Sequence, residues 1–530
     1  MKRRHHKEWW QRAVIYEIAP ISFQDSNGDG KGDLPGLLRR LEYLEWLGID
    51  AIWLTPIYRS PMLDLGYDIS DFCAIDPLFG TLEDFDRLVE TLHARDLRLI
   101  LDFVPNHTSD KHTWFRGSRS SRKHPKSDWY IWEEPAANGG PPNNWQSRFG
   151  GSAWEWDEVR EQYYYHSFLA QQPDLNWRNP AVREALRDVM RFWLRRGVDG
   201  FRVDASAVLI KDDLLRDNPP NPKADARTPP PQRLEPVFTD DRRETMDCIE
   251  EMRAVIDEFD DCVICGEVQG KTDRIGHFYG NDKPRLHLPL NFALLDTQWE
   301  PFPLQANIDA YYKALPEGAW PDWVIGGHDK RRVAGKIGQP QARILAMLLL
   351  TLKGTPFFFA GDEIGMEPVS IPPERVRDPF EKLVGGFGLN RDPERSPMPW
   401  DASALGGFTT GEPWLPLGET SQRNVHQQMQ DPKSLLSLYR ELISLRRREP
   451  ALTRGELRPV RSRNDIFSFA RTFKGSEFLI GLNLVHEPRE WEWQGAGTLL
   501  VSTHLDRKEQ PLKGPTLLRA DEGLIVKLAS

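Results

Sequence analysis

A chain of 530 residues exceeds one compact core, and a prior of about 150 residues per domain predicts two to four domains. The formal net charge of -10 excludes the basic footprint of a nucleic-acid binder. No apolar run reaches the roughly 18 residues of a membrane-spanning helix, and Ile344 to Leu350 reads as part of a core helix.

The basic start, Met1 to His6, leads into Trp9-Trp10-Gln11-Arg12 without the apolar stretch a signal peptide requires, so a cytoplasmic protein with no membrane partner is expected. From there short apolar runs alternate with amphipathic segments. Residues 13–18 and 49–54 read as strands around a helical segment, 37–47; a helix over 81–94 precedes the strand 97–103. Buried strands alternating with helices mark a parallel sheet wrapped in helices. After His107 the pattern breaks, and Gly, Pro, Ser, Trp and charge predict an inserted subdomain over 108–176. The alternation resumes with a helix over 180–196 and the strand 198–204. A proline-rich stretch, 214–236, follows that strand and is expected to form a lid. A helix over 243–259 leads to the strand 262–267, and 288–292, 323–329 and 356–359 complete eight strand candidates. Eight is the count of a closed α/β (β/α)8 TIM barrel, placed at 1–107 and 177–452. After a helix over 434–448 the period changes to two, which predicts a C-terminal antiparallel β-sandwich over 453–530. The four cysteines are too few for a disulfide framework, and Cys262-x-x-Cys265 reads as strand packing rather than a metal or redox site.

Three strands end in carboxylates: Asp204, Glu267 and Asp329. The C-terminal strand ends of a barrel converge, so acids far apart in sequence share one pocket. Such a set suits acetal cleavage, where a retaining glycosidase needs a carboxylate nucleophile and a protonated carboxyl roughly 5–5.5 Å apart. Arg202 shares a strand face with Asp204 and is expected to hold it ionised, as a nucleophile requires. Glu267 has no cation adjacent in sequence and is expected to keep its proton as the general acid. Asp329, beside His328, is placed to bind sugar hydroxyls. On Gly200 to Ala205 alone, a buried Arg202–Asp204 pair that only fixes a loop remains the other reading.

The stretch Asp25-x-Asn27-x-Asp29-Gly30-Lys31-Gly32-Asp33 sets side-chain oxygens at alternate positions, with a carbonyl near Lys31. That suits a calcium loop, though not an EF-hand, because Gly36 stands where the bidentate glutamate belongs. A hydrated Asx-turn is the other reading. No organic cofactor is expected.

On these residues the chain resembles the α-amylase superfamily, glycoside hydrolase family 13, and within it the α-glucosidase, oligo-1,6-glucosidase and sucrose-active group. The resemblance rests on 13–16 with 25–30, Gly66-Tyr67-Asp68, 102–107, 172–177, Gly200 to Ala205, Gly266-Glu267, His328-Asp329, 354–356 with 361–366, and Arg391-Asp392 with 395–398. It implies an exo-acting retaining α-glucosidase that removes terminal glucose from small α-glucosides through a covalent glucosyl-enzyme. Asp204 is then the nucleophile, Glu267 the acid/base and Asp329 the transition-state stabiliser. His107, Arg202 and His328 are implied at the first sugar subsite, Tyr67 and Phe168 among the substrate-binding residues, with Asp68 paired to Arg395 to close the far end. Related glucosidases bind calcium or magnesium at a loop like Asp25 to Asp33, and Ala205 implies α-1,4 preference. Gly327 departs from the group's asparagine and Phe359 from its tyrosine; the lost amide is expected to loosen the support of His328. A transglucosidase or sucrose-converting enzyme is the main alternative, and a non-catalytic transporter partner a remote one. Monomer and homodimer both remain open.

Overall fold

The computed structural model describes residues 8–268, 274–280, 282–460 and 465–529; the basic first six residues lie outside the described residues. Eight strands form one sheet: β1 (Ile15–Ile18), β2 (Ala51–Leu54), β3 (Arg98–Phe103), β4 (Gly200–Val203), β5 (Val263–Glu267), β6 (Leu288–Leu290), β7 (Asp322–Val324) and β8 (Thr355–Phe359). Their order is β6-β5-β4-β3-β2-β1-β8-β7, with every neighbouring pair parallel. The Val324 N–H donates to the Asn291 carbonyl at 3.3 Å, which joins the two ends into a closed barrel.

Burial on both faces explains why these strands read as continuous apolar runs. Alternate residues divide between two clusters. Ala51, Trp53, Ile100, Val263 and Val324 fill the barrel interior; Ile52, Leu54, Leu99, Phe201 and Val203 face the surrounding helices. Cys265 is buried in the interior layer and Cys262 Sγ lies 3.8 Å from the Val198 carbonyl oxygen, so the CxxC spacing is strand packing. Gly200 is required by contact: a Cβ there would lie 2.2 Å from the Val263 carbonyl oxygen.

The helices start where short polar side chains satisfy free backbone N–H groups. Thr81 and Asp84 form a capping box for Leu82–Ala94, and Asn179 caps Pro180–Arg195. The segment expected as one helix over 37–47 is two, Leu34–Arg39 and Leu41–Leu47, because Asp33 starts the first by accepting from Gly36 N–H and the chain turns at Arg40.

The insertion after β3 contains the helix Thr113–Ser120 and an antiparallel sheet in the order Trp132–Glu133, Gln162–Tyr165, Trp154–Asp157. The proline-rich stretch is stitched to it: Asn218 N–H donates to Asn144 Oδ1 at 2.8 Å, and Trp145 Nε1–H donates to the Arg216 carbonyl at 2.8 Å. This brings Pro231 and Gln232 to the rim of the cavity over the barrel.

After the helix Leu435–Arg448 comes a six-stranded antiparallel sheet in the order Glu456–Pro459, Ile466–Phe473, Ser476–Asn483, Gly523–Leu528, Ala496–Ser502, Gln510–Lys513, with a second, two-stranded sheet of Arg489–Trp491 and Thr516–Leu518. Phe467, Phe469 and Ile480 join the main core, whereas Ile466, Ala470 and Leu479 pack on Trp491 and Trp493 of the other side. That division is the period of two made physical.

Candidate active site

Arg202 is the hub. Its position on β4 turns it into the barrel, 3% exposed. Nη1 donates to Asp204 Oδ1 at 2.7 Å and to Asp102 Oδ1 at 2.9 Å, and Nη2 donates to Glu267 Oε2 at 2.7 Å. Asp102 closes β3, Asp204 follows β4, and Glu267 ends β5, so three neighbouring strand ends deliver three carboxylates to one guanidinium. Glu267 has no cation beside it in sequence, but Arg202 reaches it across the strand pair, a relationship sequence adjacency does not contain.

Three carboxylates around one cation leave an excess of negative charge, which favours a retained proton. Burial pushes the Asp204 carboxyl up to about 8, with Arg202 opposing the rise and Glu267 and Asp102 adding to it. Asp204 is thus held in a site that disfavours its charge, against the expectation that Arg202 keeps it ionised, and Arg202 offsets this only in part.

A second set of contacts runs from Asp102 to β1. Tyr67 Oη lies 2.9 Å from Asp102 Oδ2 and 2.8 Å from His328 Nε2. His328 Nδ1 lies 2.5 Å from Glu17 Oε1, and the His328 backbone N–H donates to the same oxygen at 3.2 Å. His328 therefore does not lose support through Gly327. Glu17 supplies it, and a Cβ at position 327 would lie 3.3 Å from Glu17 Oε2.

Asp329 follows β7 and faces cations. Arg395 Nη2 donates to its Oδ1, Arg391 Nη1 lies 3.2 Å from the same oxygen, and His328 Nε2 is 3.5 Å away. Burial alone would raise this carboxyl, but His328, Arg391 and Arg395 hold it well below the usual carboxylate range. Asp329 is therefore ionised at neutral pH.

These groups floor a cavity of about 400 Å³ lined by Tyr67, His107, Phe168, Asp204, Glu267 and Asp329 among others. Phe168 packs on His107 with ring centroids 5.1 Å apart, and burial keeps the His107 pKa low. Behind them Lys211, 2% exposed, donates to Asp174 Oδ2 and to Asn106 Oδ1 at 2.9 Å, tying the turn after β4 to the loops carrying His107.

The expected Asp68–Arg395 pair is not formed. Asp68 is fully buried and accepts from Ser60 Oγ at 2.9 Å and from the Leu63 and Asp64 N–H groups, so it shapes the turn. Arg395 braces the His328 carbonyl at 2.9 Å and Asp329. The pair that spans the cavity is Asp64 and Arg391, 3.0 Å apart, with Gln172 Nε2 donating to Asp64 at 3.1 Å. Asp64 lies four residues before the expected Asp68 and Arg391 four before the expected Arg395, and tertiary placement pairs these two instead. Glu17 and Asp102 were also unassigned; a lone carboxylate inside each of two apolar strands was the available signal.

The Asp25 to Asp33 loop lies apart from the cavity lining. Asp25 Oδ1 accepts from the Asn27 and Gly28 N–H groups at 2.8 Å, Asn27 Oδ1 from Asp29 N–H at 2.9 Å, and Asp29 Oδ1 from Lys31 N–H at 2.9 Å. Among the described residues, no group of three His, Cys, Asp or Glu converges as a metal cluster.

A barrel whose strand ends gather Asp102, Asp204 and Glu267 on one arginine and set Asp329 among cations fits the carboxylate chemistry of enzymes that cleave glycosidic bonds. The alpha-amylase catalytic-domain family matches residues 17–455, and the chain belongs to that family of glycoside hydrolases. It is 40% identical over 498 residues to a probable alpha-glucosidase of Rhizobium meliloti, covering 91% of this chain and 90% of that one. It is 39% identical over 505 residues to maltase A1 of Drosophila melanogaster, covering 90% and 87%. The solved structure of an alpha-glucosyl transfer enzyme, XgtA, superposes with a TM-score of 0.92 at 37% identity, covering 98% of this chain and 99% of that chain. Among the described residues, no helix is long and apolar enough to cross a membrane.

Proposed function

We propose that this protein is an exo-acting retaining α-glucosidase that removes terminal glucose, with α-1,4 preference, from short glucosides. The observation that carries the reading is the single guanidinium of Arg202 bound to both Asp204 and Glu267 on the floor of a cavity spanned by Asp64 and Arg391. One bridging cation supports the short carboxyl separation of a retaining enzyme rather than the roughly 6.5–9.5 Å of an inverting one. In the first step Asp204 Oδ attacks the anomeric carbon while Glu267 gives its proton to the departing oxygen. In the second, Glu267 takes a proton from water, which releases glucose from Asp204. Asp329, kept ionised, favours the oxocarbenium-like transition state and holds sugar hydroxyls. The Asp64–Arg391 pair recognises the non-reducing end and limits the pocket to one glucose.

Transfer to a second sugar is the other reading, supported by the likeness to the transfer enzyme XgtA. Product analysis from maltose, isomaltose, sucrose and trehalose separates the two. Free glucose as the main product supports hydrolysis, and lengthened or rearranged glucosides as the main products overturn it.

We also propose that Asp25, Asn27, Asp29, the Lys31 carbonyl and Asp33 hold a structural calcium or magnesium. Asp25 and Asp33 are each 4% exposed, and burial together with the charge of Asp25 raises the Asp33 carboxyl, which a divalent cation would relieve. A cytoplasmic location fits four cysteines of which none forms a disulfide, and the protein is taken as a monomer or homodimer.

A further inference from the structure

The polar contacts that run behind the carboxylates contain more information than their distances. Glu17 Oε1, His328, Tyr67, Asp102 and Arg202 form one continuous chain to Asp204, with links of 2.5, 2.8, 2.9, 2.9 and 2.7 Å. An ionised carboxylate accepts only, and a phenol has one proton to give. If Tyr67 O–H donates to Asp102, its oxygen is left as an acceptor, so His328 Nε2 must carry a proton. Nδ1, facing the Glu17 carboxylate at 2.5 Å, must carry one as well. The ring is then an imidazolium. If His328 were neutral with its proton on Nδ1, the Tyr67 proton would turn to Nε2 and Asp102 would lose a donor. The direction of one phenol proton thus reports the charge of His328.

We propose that Glu17 is a positioning residue for the reaction, holding His328 as a two-proton donor so that Tyr67 stays turned to Asp102 and Arg202 stays oriented on Asp204. The inference rests on the reading of this cavity as the glucose site. Glu17 sits at 1% exposure on β1 and is the carboxylate that faces Nδ1. From the other elements, Tyr67 and Asp329 face Nε2, Arg395 binds the His328 carbonyl, Arg391 lies beyond Asp329, and Asp362 with its partner Arg332 lies near Glu17. Trp53 contributes only an uncharged edge, 6.3 Å between ring centroids. Burial lowers the His328 pKa, but Asp329 and Glu17 outweigh it and leave it raised, with Arg395 opposing. Gly327 belongs to the same device, since a side chain there would press on the second oxygen of Glu17.

The test reads His328 directly. In protein carrying 15N-histidine, with the His328 signals identified by their loss in His328→Asn, both ring nitrogens are expected to be protonated at pH 7, and Glu17→Gln is expected to give a neutral ring with one protonated nitrogen. In Glu17→Gln the alkaline limb of the kcat/KM profile moves down by about one pH unit or more, since an opposite charge within hydrogen-bond distance shifts a pKa by about 1–3 units. Glu17→Asp, which keeps the charge, recovers part of the shift. A neutral His328 in the wild-type protein at pH 7 overturns the proposal, as does a Glu17→Gln variant with the wild-type spectrum and pH profile. If Glu17→Gln does not fold, the wild-type spectrum still decides. A protein inactive on every glucoside but with a doubly protonated His328 contradicts the assigned activity and leaves the proton arrangement standing.

Discussion

Arg391 Nη2 donates to Asp64 Oδ1 at 3.0 Å, so one ion pair joins the loop after β2 to the segment after β8 across the mouth of the barrel. Arg391 is also held by Asp378 at 2.7 Å, which fixes the guanidinium before any sugar arrives. Truncating one partner of a buried charge pair leaves the other without compensation, at a cost of about 2–5 kcal/mol. Arg391→Ala is therefore expected to lower kcat/KM on maltose by about 10²-fold or more and to weaken the preference for chain ends. Steady-state kinetics on maltose and on a substrate blocked at its non-reducing end measure both. An unchanged preference contradicts the role.

Asp204 gives a stability prediction with a definite sign. Its folded-state pKa, about 8, lies above the unfolded value of 3.8, so between roughly pH 4 and 8 the native state binds more protons and stability falls as pH rises. Asp204→Asn removes that liability. Its Tm is expected to exceed the wild-type value at pH 7–8, by about 1–3 °C, and to converge with it near pH 4, while turnover is lost. A Tm lower than wild type across this range contradicts the crowded-carboxylate explanation.

How far the sequence foretold these features depends on whether the signal was local. The eight strands were legible because burial on both faces produces runs such as Gly200 to Val203 and Thr355 to Phe359. Asp204 and Glu267 were legible because they close or directly follow such a run, and Asp329 because it stands a few residues past one, beside His328. The partner of Glu267 was not, since Arg202 reaches it sideways between strands. Nor was the choice of Asp64 over Asp68, which Gly66, at φ 98°, decides by turning the chain between them. Glu17 was hidden for the same reason, its partner His328 lying 311 residues away.

Ala205 lines the cavity in a left-handed conformation, φ 46°. A β-branched residue tolerates that region poorly, at about 1–2 kcal/mol, and adds bulk beside Asp204. Ala205→Val is expected to lower kcat/KM for maltose by about 10-fold or more, to raise the isomaltose-to-maltose ratio and to lower the Tm slightly. An unchanged ratio removes Ala205 from linkage selection.

If the Asp25 to Asp33 loop holds a divalent cation, chelation lowers the Tm and added calcium restores it. At a free calcium concentration 100 times the dissociation constant the gain is about 2.7 kcal/mol. Asp33→Asn should abolish the response. Equal melting curves with and without chelator exclude a structural cation there.

The order in which the glucose anomers appear tests the central claim most directly. Followed by 1H NMR as maltose is first consumed, the newly released non-reducing-end glucose is predicted to appear as the α anomer, with the β anomer growing only by later mutarotation. Release of β-glucose first contradicts a covalent intermediate on Asp204 and the retaining mechanism built on it.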